Sequence, residues 1–169
     1  MTVAGPSQGD FLALHVRSNH EWKAEAFLKG AGIEGFVPYY LAKRQWTDRV
    51  VETKRPLFKG YLFARAGARG EVVKTPGLVQ VVGFAGRLAT VPHETVESLR
   101  ILCASGGTRP CAYLREGVRA RIKTGALKGA VGVIVPGRGK KAHLVVSVHL
   151  LGRSVFVPID RYEVESVAG

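Results

Sequence analysis

The run Pro56-Leu57-Phe58-Lys59-Gly60-Tyr61-Leu62-Phe63 constrains the fold more than any other stretch of the chain. Side chains of a strand point alternately to its two faces, which places Leu57, Tyr61 and Phe63 on one side and Phe58 and Leu62 on the other. Pro56 suits the start of such a strand because it contributes no ladder donor. A sheet that buries one face and wets the other alternates apolar with polar residues; this segment is apolar on both. Both faces therefore need a cover. One cover is the protein's own core, and the other is a helix of the same chain or a partner. Taken alone, the segment reads most simply as a central strand buried on both sides.

Around it the chain alternates element types. Residues 11–17 read as a strand, with Phe11, Ala13 and His15 on one face and Leu12, Leu14 and Val16 on the other. Ser18 followed by Glu21 has the spacing of a capping box. The helix it opens runs to Lys29 or Ala31, with Ala24, Phe27, Leu28 and Ala31 as its apolar stripe and Gly30 and Gly32 as stop signals. Residues 33–42 and 45–53 read as a strand pair and 69–75 as a short helix. Short strands follow at 78–84 and 88–91, then a helix entered at Pro92 and ending near Cys103. At 104–110 (Ala-Ser-Gly-Gly-Thr-Arg-Pro) periodicity stops, as in a linker. Beyond it lie only short β runs separated by glycines, the pattern of a small closed barrel. The same glycines argue against a helical form of this region, since each interior Gly costs a helix about 1 kcal/mol relative to Ala.

Charge narrows the partners. The 169 residues carry 25 Lys and Arg against 13 Asp and Glu, a net charge of +12. The excess is +5 over residues 1–105 and +7 over the shorter remainder, a balance that favours a polyanionic neighbour such as nucleic acid or the ribosome. Arg119, Arg121 and Lys123 alternate along one strand. Arg17, Lys23, Lys43, Arg44, Arg49, Lys54 and Arg55 gather around the first helix and one hairpin, whose tip is Trp46-Thr47-Asp48-Arg49. Either group is a phosphate-binding surface or a solvated face. No apolar run approaches the length of a membrane span, and residues 1–10 contain no secretory signal pattern, so no membrane and a cytoplasmic setting are expected. Catalysis finds no support. The five histidines are scattered, Cys103 and Cys111 lack the companions of a zinc site, and the glycine-rich 125–129 and 137–141 segments lack the ending of a phosphate loop. No enzyme activity, cofactor or metal is expected.

With this order of elements, the chain resembles the NusG/RfaH family of transcription elongation factors over nearly its whole length, residues 11–167. Pro56 to Phe63 resembles the family's Pro-Leu-Phe-Pro-Gly-Tyr-Leu-Phe signature, with Lys59 where Pro is usual. Thr75-Pro76-Gly77-Leu78-Val79 resembles its Thr-Pro-Gly-Val step. Glu116-Gly117 through Gly125-Ala126-Leu127-Lys128-Gly129-Ala130-Val131-Gly132 resembles a KOW motif, and Leu151-Gly152-Arg153 with Val155 and Val157-Pro158 resembles the end of the same domain.

The resemblance implies an α+β protein. A disordered stretch at 1–10 precedes an NGN-like domain at 11–104, with a four-stranded antiparallel sheet flanked by helices. A flexible linker at 105–113 leads to a five-stranded SH3-like barrel at 114–169. It implies a monomer that docks on the clamp helices of the RNA polymerase large subunit through Tyr61 and Phe63, with His15 as their first-strand neighbour. Phe58 and Leu62 then form the internal face. Arg17, Lys23 and Lys74 fall where specialised members contact non-template DNA. Leu127, between Gly125 and Gly129, matches the loop tip that meets a second partner, termination factor Rho or a small-subunit ribosomal protein. The 46–49 hairpin tip resembles operon-specific paralogs, which favours a specialised paralog over the housekeeping factor. The rival readings are a ribosome-associated or RNA-binding KOW protein, since such barrels also occur on the ribosome, and a housekeeping NusG.

Overall fold

A computed structural model describes residues 10–67, 69–84, 87–111, 117–137, 141–159 and 164–166. The expected disordered stretch, apart from Asp10, and the basic segment at 138–140 lie outside the described residues. In chain order the elements are β1 (Phe11–Val16), α1 (Glu21–Gly30), β2 (Gly35–Phe36), β3 (Tyr39–Gln45), β4 (Val50–Pro56) and β5 (Tyr61–Arg65). The one-turn α2 (Arg69–Val72), β6 (Leu78–Val81), β7 (Gly83–Phe84), β8 (Arg87–Leu88), β9 (Thr90–Val91) and α3 (His93–Ser105) follow. The remainder is β10 (Arg109–Cys111), β11 (Val118–Ile122), β12 (Val131–Pro136), β13 (Ala142–Val148), β14 (Arg153–Ile159) and β15 (Val164–Ser166). The protein is mixed α/β, rich in strands and poor in helices. Its contacts divide it into two compact units: Met1–Val37 with Phe58–Val96, and Pro38–Leu57 with Glu97–Gly169.

In the first unit an antiparallel sheet has the order β2-β5-β1-β6, with β9 also paired to β1. The four expected strands therefore gain a fifth short one. β1 and β5 run in the register Phe11↔Arg65, Leu12↔Ala64, Ala13↔Phe63, Leu14↔Leu62 and His15↔Tyr61. Alternation then sorts the side chains. Leu12, Leu14, Val16, Leu62 and Ala64 pack with Ala24 and Leu28 of α1, and with Ile33, Val37 and Val72. Burial of such side chains stabilises by roughly 1.5–3 kcal/mol each.

Two local readings of the sequence are corrected. Pro56 closes β4 and does not open a strand, and residues 57–60 form a turn in which the Tyr61 amide donates to the Phe58 carbonyl at 3.0 Å. The pleat therefore does not run through 56–63, and Phe58 lies against Phe63, edge to face at 6.3 Å, where strict alternation opposed them. The turn needs Gly60: φ is +82°, and a Cβ there would lie 3.2 Å from the Val16 carbonyl oxygen. The Ser18–Glu21 capping box does not form either. His20 occupies the N-cap with no side-chain cap, and Glu21, 1% exposed, accepts the Gly60 amide at 2.8 Å instead. A buried carboxylate needs a donor, and the turn's orphan amide supplies one.

In the second unit β3 and β4 form a separate hairpin, closed by a turn in which the Trp46 amide donates to Arg49 O at 2.8 Å. The C-terminal strands form one antiparallel sheet of six strands, ordered β10-β14-β13-β12-β11-β15, against the five expected. Its sixth member comes from the expected linker: Arg109–Cys111 is a strand, pairing Arg109 with Phe156 and Cys111 with Ser154. The edge of β14 offered unpaired backbone groups, and this stretch satisfies them. Residues 112–113 of that linker lie outside the described residues.

Candidate partner-binding surfaces

The face of β1 and β5 opposite α1 carries Phe11, Ala13 and His15 beside Arg65, Phe63 and Tyr61. Phe11, Ala13 and Phe63 are fully buried, whereas His15 and Tyr61 remain half-buried. Their rings stack at 4.9 Å with only 18° between planes. At the other end Arg65 lies over Phe11 at 4.3 Å, is ion-paired to Glu34, and approaches His93 Nδ1 at 3.4 Å. Phe11 also stacks on His93 at 6.1 Å. One end of the face is thus closed by a charge-buttressed aromatic cluster, and the other presents the His15–Tyr61 pair. The sequence reading paired Tyr61 with Phe63 as outward residues. In the structure Phe63 points the same way but is fully buried, with Phe58 against its ring.

The cations anticipated at DNA fall in two places. The Arg17 amide donates to the Gly77 carbonyl at 2.9 Å, which holds the end of β1 to the loop that Lys74 begins. Lys74 is exposed and ion-paired with Glu71 at 2.8 Å, while Arg17 and Lys23, the latter on α1, are exposed. This loop belongs to the Thr75–Val79 step, where Thr75 Oγ1 donates to Val72 O at 2.6 Å and closes the turn.

In the second unit the β11–β12 turn is built as a glycine-hinged loop. The Gly129 amide donates to Ile122 O at 2.9 Å, the Lys128 amide to Gly125 O at 3.2 Å and the Ala130 amide to Leu127 O at 3.0 Å, with Gly125 and Gly129 at φ +78° and +90°. Leu127, read as the exposed tip, is 1% exposed. The turn folds inward because it abuts α3: the Val131 amide donates to Ser98 Oγ at 2.9 Å, and Ile101 Cδ1 would lie 3.5 Å from a Cβ on Gly129. Thr124, Gly125, Ala126 and Lys128 remain exposed on its rim. The β11 stripe is partly neutralised, since Lys123 lies 3.9 Å from Glu165.

The β3–β4 hairpin sorts its side chains by register. Tyr40 pairs with Arg55, Ala42 with Thr53 and Arg44 with Val51, so these six share one face. The register, which decides this, is not visible in composition. Among the described residues no group of three or more His, Cys, Asp or Glu is placed to hold a metal ion, and no helix is long and apolar enough to cross a membrane.

Comparison with known proteins adds the family. Residues 9–100 match the family model described as "Transcription termination factor nusG". No curated protein sequence matches the chain significantly. Among solved structures, that reported as domain interaction in Thermotoga maritima NusG is 19% identical, with a TM-score of 0.45, covering 94% of this chain and 97% of that one. The MjSpt4:Spt5 complex in conformation A is 13% identical, with a TM-score of 0.30, covering 92% and 98%. Conformation B of that complex is 14% identical, with a TM-score of 0.31, covering 94% and 99%. Because the family model spans more than half of the chain, from just before β1 into α3, this protein belongs to the NusG family of transcription factors.

Proposed function

We propose that this protein is a transcription elongation and antitermination factor, a specialised member of its family, which docks on the clamp helices of RNA polymerase through the outer face of β1 and β5. The observation that carries this reading is the His15–Tyr61 stack, a half-exposed aromatic pair on an otherwise buried apolar face, within the segment matched to the family. Aromatic anchors surrounded by buried apolar groups have the composition of interface hot spots. Phe63 supports the pair from the interior. Arg17, Lys23 and Lys74 are the side chains assigned to non-template DNA. The functional modules are taken as residues 11–104 and 114–169, the latter an SH3-like KOW barrel. Its glycine-hinged turn recruits the second factor, Rho or a small-subunit ribosomal protein, by way of the rim around Leu127. The role is one of binding and not of catalysis.

The test is retention of the full chain on immobilised core RNA polymerase, comparing wild type with His15→Ala plus Tyr61→Ala. Both side chains are half-exposed, so the double variant is expected to fold, with unchanged circular dichroism, and to lose retention at least thirtyfold, from about 2 kcal/mol or more for a central aromatic. Undiminished retention of a folded double variant overturns the docking face.

A further inference from the structure

We propose that one face of the β3–β4 hairpin binds single-stranded nucleic acid, stacking bases on Tyr40 and Trp46 and holding phosphates with Arg44, Arg49 and Arg55. The register puts Tyr40, Arg44, Val51, Thr53 and Arg55 on this face. Trp46 and Arg49, joined by the Trp46 amide to Arg49 O bond, lie one residue beyond β3 and β4, and extending the alternation by that residue assigns them to the same face. The two aromatics therefore stand six residues apart, Trp46 one residue past the end of β3, about 20 Å in extended backbone, with Arg44 between them and Arg55 and Arg49 across from them.

Three features point to a polyanion with exposed base faces. Among the paired residues of β3 and β4 no Asp or Glu falls on this face: Glu52 lies on the opposite one, within 3.7 Å of Lys43, and Asp48 sits in the turn. Among the described residues neither Arg44 nor Arg55 has a carboxylate partner. A shallow cavity of about 210 Å³ is lined by Tyr40, Ala42, Lys43, Arg44, Thr53 and Arg55, so the cationic groups flank a hollow. Arg109 of β10 sits over the Tyr40 ring at 5.5 Å and adds a further positive charge beside it. At the far end Trp46 is 56% exposed.

A solvated charged hairpin explains the arginines but not an exposed tryptophan on the same face. An acidic protein surface would complement the arginines and leave that ring unused. A duplex keeps its base faces stacked internally, whereas a single strand offers both phosphates and base faces. Base stacking and arginine–phosphate contacts do not depend on the sugar 2′-hydroxyl, so DNA and RNA strands are expected to bind alike.

The test is fluorescence anisotropy of the full chain with labelled mixed-sequence strands of about 15 nucleotides, DNA and RNA, and with a DNA duplex of equal length. No polymerase is present, so the result is independent of clamp docking. Arg44→Ala plus Arg55→Ala is expected to lower the slope of log affinity against log salt by about 1.4, at roughly 0.7 per phosphate contact on a single strand. Trp46→Ala is expected to weaken binding at least about fivefold. The control, Lys54→Ala plus Lys29→Ala, removes two exposed charges, one from the opposite hairpin face and one from α1. An equal slope change in the control means bulk charge alone and overturns the proposal. So does a duplex that binds as tightly as the strands, or a Trp46→Ala variant with wild-type affinity.

Discussion

The carboxylate of Glu21 accepts the amide of Gly60 at 2.8 Å in the protein interior, tying the first turn of α1 to the turn that launches β5. The bond joins two segments 39 residues apart and sets where Tyr61 enters the sheet. Glu21→Ala leaves the Gly60 amide buried without its acceptor. It is expected to destabilise by about 1.5–3 kcal/mol, the range for hydrogen bonds to charged groups, read from the urea midpoint. Glu21→Gln keeps an oxygen at that place and is expected to recover at least half of the loss. Equal loss in both variants removes the geometric role assigned to the acceptor.

Lys74 is held by Glu71, so any phosphate it contacts has to compete with that carboxylate. Arg17→Ala and Lys23→Ala are each expected to flatten the salt dependence of binding to a forked DNA by roughly 0.9 per phosphate lost on the duplex arm. Glu71→Gln is expected to act the other way and tighten binding, because it frees Lys74. Titrations at several salt concentrations decide this, and an unaltered slope in all three variants leaves these side chains as ordinary surface.

Cys103 is a buried thiol whose Sγ receives the Tyr39 amide at 3.4 Å. Burial pushes its pKa up from 9.0 to about 11, and the Tyr39 hydrogen bond offsets only part of that. In the unfolded chain the thiol ionises near 9, so above that pH the unfolded state loses a proton that the folded state keeps. The contribution is fully present below pH 9 and is lost as pH rises toward 11, by about 2–3 kcal/mol. Stability curves of wild type and Cys103→Ala are thus expected to converge over that window. The same burial predicts that at pH 8 an alkylating reagent modifies Cys103 only after unfolding. Rapid modification in the native state contradicts this placement.

Gly132 is the second residue of β12, where an added Cβ would fall 2.5 Å from the Val145 carbonyl oxygen of β13. Backbone cannot yield as a side-chain tip does, so Gly132→Ala is expected to cost more than about 2 kcal/mol. Gly30 closes α1 and has open space at its Cβ position. Gly30→Ala is expected to be neutral or stabilising by up to about 1 kcal/mol. Thermal melts of the two variants give opposite signs, and a Gly132→Ala protein as stable as wild type refutes the close strand approach.

Much of the architecture was legible in the residues. The alternation at 11–16 marked a strand, Gly30 marked the end of the first helix, and the short β runs separated by glycines marked the C-terminal strands. Other features were misread because a local signal met a distant competitor. Ser18 and Glu21 have capping spacing, yet Glu21 is taken by Gly60. Pro56 to Phe63 has continuous apolar character, yet the left-handed Gly60 breaks it into a turn and a strand. Arg109–Cys111 is Gly-flanked and aperiodic, yet the open edge of β14 recruits it.

The candidate surfaces divide the same way. Sequence alone determined which side chains alternate, where glycines permit turns, that the chain is strongly basic, and which segments carry the family motifs. Tertiary structure decided that Tyr61 faces His15 while Phe63 is sealed against Phe58, that Leu127 turns inward near α3, and that Tyr40 and Arg55 share a face. The physical reason is that period and propensity act over a few residues, whereas burial and register belong to pairs of segments far apart in the chain. A strand such as β5 carries the same alternation whichever of its faces is covered, and only the element packed against it determines which aromatics stay in contact with solvent.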